Sequence, residues 1–179
     1  MPPKRSTAPP APAPAPPTAN GILIRPRTAV QIGKPAYDGV CAELVVVKAP
    51  LSVFNSLPWE PSPISAALGL PVKVARWPSE KGQPNEGALG LFMHADPEQE
   101  DFGRVKYQFV DGAVLVAKTG GDGELRTREV QALLCYLSDL SHEVASFLRT
   151  SHDDRIGKAK ELAGRRITKE AFGRFLKRF

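Results

Sequence analysis

A long apolar stripe in residues 127–149 limits the folds open to this chain more than any other segment. Its apolar residues recur at the spacing of one helix face and fill an arc of roughly 140°. Thr127 is the predicted N-cap, and Glu129 falls in the first turn, where the helix dipole favours a carboxylate. A helix with such a face needs an apolar surface to pack on. The stripe consists of Val130, Leu133, Leu134, Leu137, Leu140, Val144, Phe147 and Leu148.

The β-prone runs that precede this helix can supply that surface. Residues 41–48 are rich in β-branched side chains, and because their three valines are continuous rather than alternating, we expect this strand in the centre of the sheet. Asp111 and Gly112 separate the runs 106–110 and 113–118, which predicts a hairpin with a type I′ turn. Further strands are predicted over 22–24, 72–77 and 88–94, and Ser62-Pro63 starts a short helix at 63–68.

Two shorter helices are predicted after the long one. Asp153 or Asp154 caps the first, which ends at Gly164. Its predicted buried side is Ile156, Ala159 and Leu162. Strands followed by helices predict an α+β fold, with a mostly antiparallel sheet of about five strands packed by a long helix in the C-terminal half and two shorter helices.

The last helix is amphipathic and basic. Thr168 is its predicted N-cap, with Ile167 and Phe172 as a hydrophobic staple. Its apolar face is Phe172, Phe175, Leu176 and Phe179. The basic residues lie on the opposite face, so the aromatic rings would not interleave with them as a base-stacking surface requires.

The 179 residues divide into a tail and one domain. Residues 1–20 are rich in proline and alanine and are predicted to be disordered, with P-x-x-P registers that suit a proline-binding domain. Residues 21–179 are predicted to form a single α+β domain. Lys4 and Arg5 precede Ala-Pro repeats instead of an apolar run, and no run of 18 apolar residues occurs, so we expect neither a signal peptide nor a transmembrane helix.

The net charge of +5 is unevenly distributed. Residues 1–36 contain five bases and no acid, and residues 155–179 contain nine bases against two acids, which leaves a net charge of −7 for the residues between them. An acidic body with basic ends is not typical of a protein whose whole surface binds nucleic acid. The basic ends themselves can still contact phosphates.

One part of the chain resembles a known but uncharacterised family. The segment 101–140, DFGRVKYQFVDGAVLVAKTGGDGELRTREVQALLCYLSDL, resembles a stretch of uncharacterised fungal proteins in which a D-x-G motif precedes a helix rich in leucine and cysteine. The sequence ITKEAF at 167–172 resembles the start of their terminal helix. The resemblance implies an independently folding domain and implies no particular chemistry.

The candidates for metal binding and catalysis are few. Cys135, Asp139 and His142 share the polar side of the long helix, but Cys135 and His142 are about 10 Å apart by helical rise, too far for one zinc ion. His94 beside Asp96, and His152 beside Asp153 and Asp154, are the remaining acid–base pairings. No P-loop, G-x-S-x-G, G-x-G-x-x-G or H-E-x-x-H motif occurs. We therefore predict no metal and no cofactor.

The sequence favours a non-enzymatic intracellular binding or adaptor domain, cytoplasmic or nuclear, with a protein partner or nucleic acid at its basic C-terminal helix. Two lone cysteines indicate reduced thiols. The alternative is a small enzyme with a site built from His94, Cys41 or Cys135 and nearby acids. The helix can also be purely structural, with its Phe/Leu stripe packed on the body and its bases facing water; its other candidate partners are an anionic membrane surface or a groove on a partner protein. The candidate contact residues are Arg165, Arg166, Lys169, Arg174, Lys177 and Arg178.

Overall fold

One antiparallel sheet and the helices packed on it account for the part of the chain that this computed structural model describes, residues 17–26, 42–77, 84–106, 111–120, 124–147 and 152–179. The strands are β1 (Thr18–Pro26), β2 (Ala42–Pro50), β3 (Glu60–Pro61), β4 (Val72–Arg76) and β5 (Val114–Lys118). The helices are α1 (Leu51–Ser56), α2 (Pro63–Ala67), α3 (Thr127–Phe147), α4 (His152–Arg166) and α5 (Lys169–Arg178), with a 3₁₀ helix at Glu86–Phe92. The predicted α+β class is confirmed.

The sheet has the order β2-β1-β5-β4-β3, and every neighbouring pair is antiparallel. The middle strand β5 is buried on both faces from Val114 to Ala117. α3 covers one face with the predicted stripe, and all six of its side chains up to Val144 are buried. The core on this face combines sheet residues with α3 residues, among them Ile22, Ile24, Val72, Val74, Val114, Val116, Leu133, Leu137 and Leu140.

The other face of the sheet carries a smaller apolar cluster under α1. Phe54 of α1 packs there with Leu23 and Leu115. Trp59 follows α1, and its indole Nε1 donates to the Phe54 carbonyl at 2.6 Å. The ammonium group of Lys73 lies 4.5 Å from the centre of a Trp59 ring, which adds a cation–π contact at the border of this cluster.

Two predictions about the sheet are wrong. β2 is an edge strand rather than a central one, because β5 pairs with β1 and β4 inside the sheet. Residues 88–94 are not a strand, since most of them belong to the 3₁₀ helix, whose buried Ala88 and Leu91 follow its three-residue repeat. The predicted hairpin between 106–110 and 113–118 falls partly on residues 107–110, which lie outside the described residues; within the described part, β5 pairs with β1 and β4.

Several element ends also differ from those predicted. Arg126, not Thr127, takes the N-cap position of α3: its amide donates to the Glu129 carboxylate at 2.9 Å. Ile156 on α4 is 38% exposed rather than buried. α4 continues past the predicted stop to Arg166. β1 begins at Thr18, inside the predicted tail, whose first 16 residues lie outside the described part of the chain.

The connection that follows the 3₁₀ helix approaches α3 most closely at Gly103. This residue has a φ of +74°, and a Cβ there would lie 2.3 Å from Cγ1 of Val144. Gly120 has a similar φ of +71°, and apart from its chain neighbours no heavy atom of the described residues lies within 4 Å of its Cβ position. A substitution at Gly103 therefore adds backbone strain and a steric clash, whereas a substitution at Gly120 adds backbone strain alone.

We expect Gly103→Ala to lower the free energy of unfolding by about 2–4 kcal/mol, because it adds a steric clash to the strained backbone. The control Gly120→Ala should cost only about 1–2 kcal/mol, since it carries the backbone strain alone. Urea denaturation of both variants measures the difference. Equal losses would show that the connection does not pack tightly on α3.

Candidate anion-contact surface

α5 docks on α3 through aromatic side chains. The Tyr136 ring of α3 lies 5.5 Å from the Phe172 ring and 5.1 Å from the Phe175 ring, both in edge-to-face arrangements. The Thr168 hydroxyl accepts from the amide of Ala171 at 3.1 Å, which confirms the predicted N-cap. The apolar face of α5 therefore belongs to the core of the domain.

Two of the six predicted contact residues are held by ion pairs within the fold. Glu143 of α3 accepts from Arg165 at 3.2 Å and also from Arg166. The Tyr136 hydroxyl donates to the Arg166 carbonyl at 2.7 Å, and the Arg166 guanidinium lies 5.0 Å from the centre of the same ring. Glu143 thus joins the end of α4 to α3, although this one carboxylate is shared by two arginines and Arg165 remains 64% exposed.

Lys169 is exposed at the start of α5, and its aliphatic stem packs on Gly69. A Cβ placed on Gly69 would lie 2.6 Å from Cγ of Lys169. The stem is therefore in close contact with the turn after α2, while the charged end extends beyond it, as is common for lysine side chains.

The remaining three contact residues form a compact exposed group, which we call the α5 basic group. It consists of Arg174, Lys177 and Arg178, and all three are exposed. Spacings of three and four residues place them on one side of the helix. Within the described part of the chain, no carboxylate forms an ion pair with any of them. Lys177 and Arg178 also lie in the last turn, where the helix dipole favours positive charge.

The two described histidine candidates, His94 and His142, have different partners. His94 pairs with Asp101 at 3.1 Å rather than with Asp96, and both partners are more than a third exposed. His142 Nδ1 lies 2.8 Å from the carbonyl of Ser138 on its own helix. The described residues contain no group of three metal-ligating side chains. Cys41 and the side chains of His152 and Asp153 lie outside the described residues.

A cavity of about 370 Å³ between the 3₁₀ helix and α3 was not predicted. Its floor is apolar, with Met93 and Leu137, and its rim carries Glu86 and His142. The 3₁₀ helix approaches α3 at Gly90, where a Cβ would lie 2.7 Å from Cβ of Leu137. The sequence gives no sign of this cavity, because the segment that forms it was predicted to be a strand.

Substitutions of Tyr136 measure how much its hydroxyl and its ring contribute to the packing of α4 and α5 on α3. We expect Tyr136→Phe to lower the free energy of unfolding by about 1–2 kcal/mol, because the Arg166 carbonyl loses its donor while the ring packing remains. Tyr136→Ala, which also removes the ring, should cost about 3–5 kcal/mol. Urea denaturation compares the two variants. A phenylalanine variant as stable as the parent would show that the hydroxyl contributes nothing.

No described helix combines the length and the apolar character that crossing a membrane requires. No protein-family model, curated protein or solved structure matches the chain. The resemblance of residues 101–140 and 167–172 to uncharacterised fungal proteins therefore stays a prediction, and the function is inferred from the geometry of the surface itself.

Proposed function

We propose that this protein is a non-enzymatic intracellular binding domain that contacts an acidic protein partner through the α5 basic group. The observation that carries the proposal is the division of the C-terminal charges. Arg165 and Arg166 share the carboxylate of Glu143 on α3, whereas Arg174, Lys177 and Arg178 are exposed with no ion-pair partner among the described residues. Three positive charges within about one turn of a fixed helix attract an anionic surface.

The docked position of α5 argues against partners that need its apolar face. Phe172 is buried, and Phe175 and Leu176 are half-buried against the core. Only Phe179 at the end of the chain is exposed, at 37%. A hydrophobic groove on a partner or the acyl region of a bilayer would have to detach α5 from Tyr136 before binding it.

An acidic protein surface also fits the α5 basic group better than nucleic acid does. The aromatic rings of α5 face Tyr136 and are not available for stacking on bases. The three charges cover a short length, while phosphate-backbone binding usually relies on more contacts along a strand. Guanidinium groups such as those of Arg174 and Arg178 form paired hydrogen bonds with carboxylates and with phosphates alike, so the preference rests on the buried rings and the short length of the group.

We expect the full chain to bind a fluorescent glutamate-rich peptide with an affinity that falls as salt rises. The triple variant Arg174→Ala, Lys177→Ala, Arg178→Ala should weaken this binding about tenfold, because three exposed ion pairs are lost. The control triple variant Arg104→Ala, Lys118→Ala, Arg128→Ala removes the same charge from other exposed positions. It should bind nearly as well as the parent. Fluorescence anisotropy at several salt concentrations measures each affinity.

Three outcomes would overturn the proposal. An equal loss in both triple variants would mean that net charge alone drives binding. Tighter binding of a duplex DNA of matched charge, lost in the α5 variant, would assign the group to nucleic acid. No binding of either probe at low salt would remove the α5 basic group as a contact site. Circular dichroism confirms that each variant remains folded.

A further inference from the structure

β2 forms a long edge of the sheet that no other described strand covers. All nine residues of β2 pair with β1 in one continuous register, from Ala42 opposite Pro26 to Pro50 opposite Thr18. Among the described residues, none pairs with the other edge of β2. Its outward-facing amides and carbonyls therefore form a row that another strand can extend.

The opposite edge of the same sheet is protected. β3 has only two residues, and one of them is Pro61, which has no amide hydrogen to offer. Short length and proline are common devices against edge-to-edge association. β2 has neither device within its span: it is long, regular and carries no proline before its last residue, Pro50. The contrast indicates that the β2 edge serves for pairing.

We propose that the occupant of the β2 edge is a second copy of this chain, paired antiparallel about a two-fold axis through Val46. In this register Val46 lies opposite its own copy, Val45 lies opposite Val47, and Leu44 lies opposite Lys48. Directly opposed residues in antiparallel strands point to the same face, so both copies keep their helices on one side. The result is a continuous sheet across the dimer.

The side chains of β2 suit this pairing. Val46 is 63% exposed, more than any other large apolar residue of the described chain, and its copy would cover it. Val45 and Val47 are half-buried at the border of the cluster that contains Phe54, so pairing would extend that cluster across the axis. Apolar β-branched side chains in cross-strand pairs stabilise antiparallel sheets.

The charges of β2 favour a second copy over an acidic partner. The strand carries one acid, Glu43, and one base, Lys48, and is therefore neutral. About the axis through Val46, Glu43 lies opposite Ala49, so neither charge meets its own copy. A neutral edge offers no attraction to an acidic protein, and it is a place where two copies of a chain with a net charge of +5 approach with little repulsion. This inference does not depend on the proposed function.

Sedimentation equilibrium tests the dimer on the full chain. We expect a concentration-dependent mass that rises from the chain mass of 19.4 kDa towards twice that value. Val46→Lys and Val46→Glu should each raise the dissociation constant of the dimer about tenfold or more, because like charges would meet on the axis. An equimolar mixture of the two variants should restore association, since opposite charges would then face each other. Ile156→Lys, at an exposed apolar position on α4, is the matched control and should leave the dimer unchanged.

Each outcome either supports or contradicts a dimer at the β2 edge. A parent protein that stays monomeric across the accessible concentration range would overturn the proposal. So would a dimer that persists unchanged in both charged Val46 variants, which would place the interface elsewhere. Loss of association in Ile156→Lys would also count against the β2 edge. Recovery in the mixture, with both variants folded by circular dichroism, would support a two-fold axis at Val46.

Discussion

The apolar face of α3 is the surface against which the rest of this fold is built. Leu133, Leu137 and Leu140 are almost fully buried on the sheet, and each such side chain contributes about 1.5–3 kcal/mol relative to remaining in water. The 3₁₀ helix packs on the same helix at Gly90, and the following connection packs on it at Gly103. α3 therefore organises both the strands before it and the elements after it.

α3 also determines which basic residues of the C-terminal helices form ion pairs within the fold and which remain exposed. Tyr136 and Glu143 lie two turns apart on α3, and they hold Phe175 and Arg166 respectively. Fixing α5 in this way turns its apolar side inwards, so its outer side carries positive charges that form no ion pair with any described residue. Without that docking, α5 would be a free amphipathic helix, and its partners would be membranes and hydrophobic grooves instead of charged surfaces. The exposure of the proposed contact surface is thus a consequence of core packing.

Local sequence signals predicted the elements whose formation depends on neighbouring residues. The period of the α3 stripe, the Thr168 cap and the strand at Val72–Arg76 were all predictable because they depend on spacing along the chain. The position of β2 was not, because long-range pairing decides it: β5 inserts between β1 and β4. The 3₁₀ helix was not either, because its packing on α3 at Gly90 is a tertiary contact. The six predicted contact residues illustrate both cases. Their charge was visible in the sequence, whereas the pairing of Arg165 and Arg166 with Glu143 depends on the tertiary fold.

The two proposed surfaces differ in the physics that would make each one selective. The α5 basic group relies on charge, which acts over about 8 Å at physiological salt and sets how fast an acidic partner is captured. The β2 edge relies on backbone hydrogen bonds and apolar contact, which are short-ranged and weakly dependent on salt. Because a neutral edge does not attract the acidic partner and a basic helix repels a second copy, the charge pattern itself keeps the two associations apart. A dimer would then present the α5 basic group twice, which raises the avidity for a partner with two acidic sites.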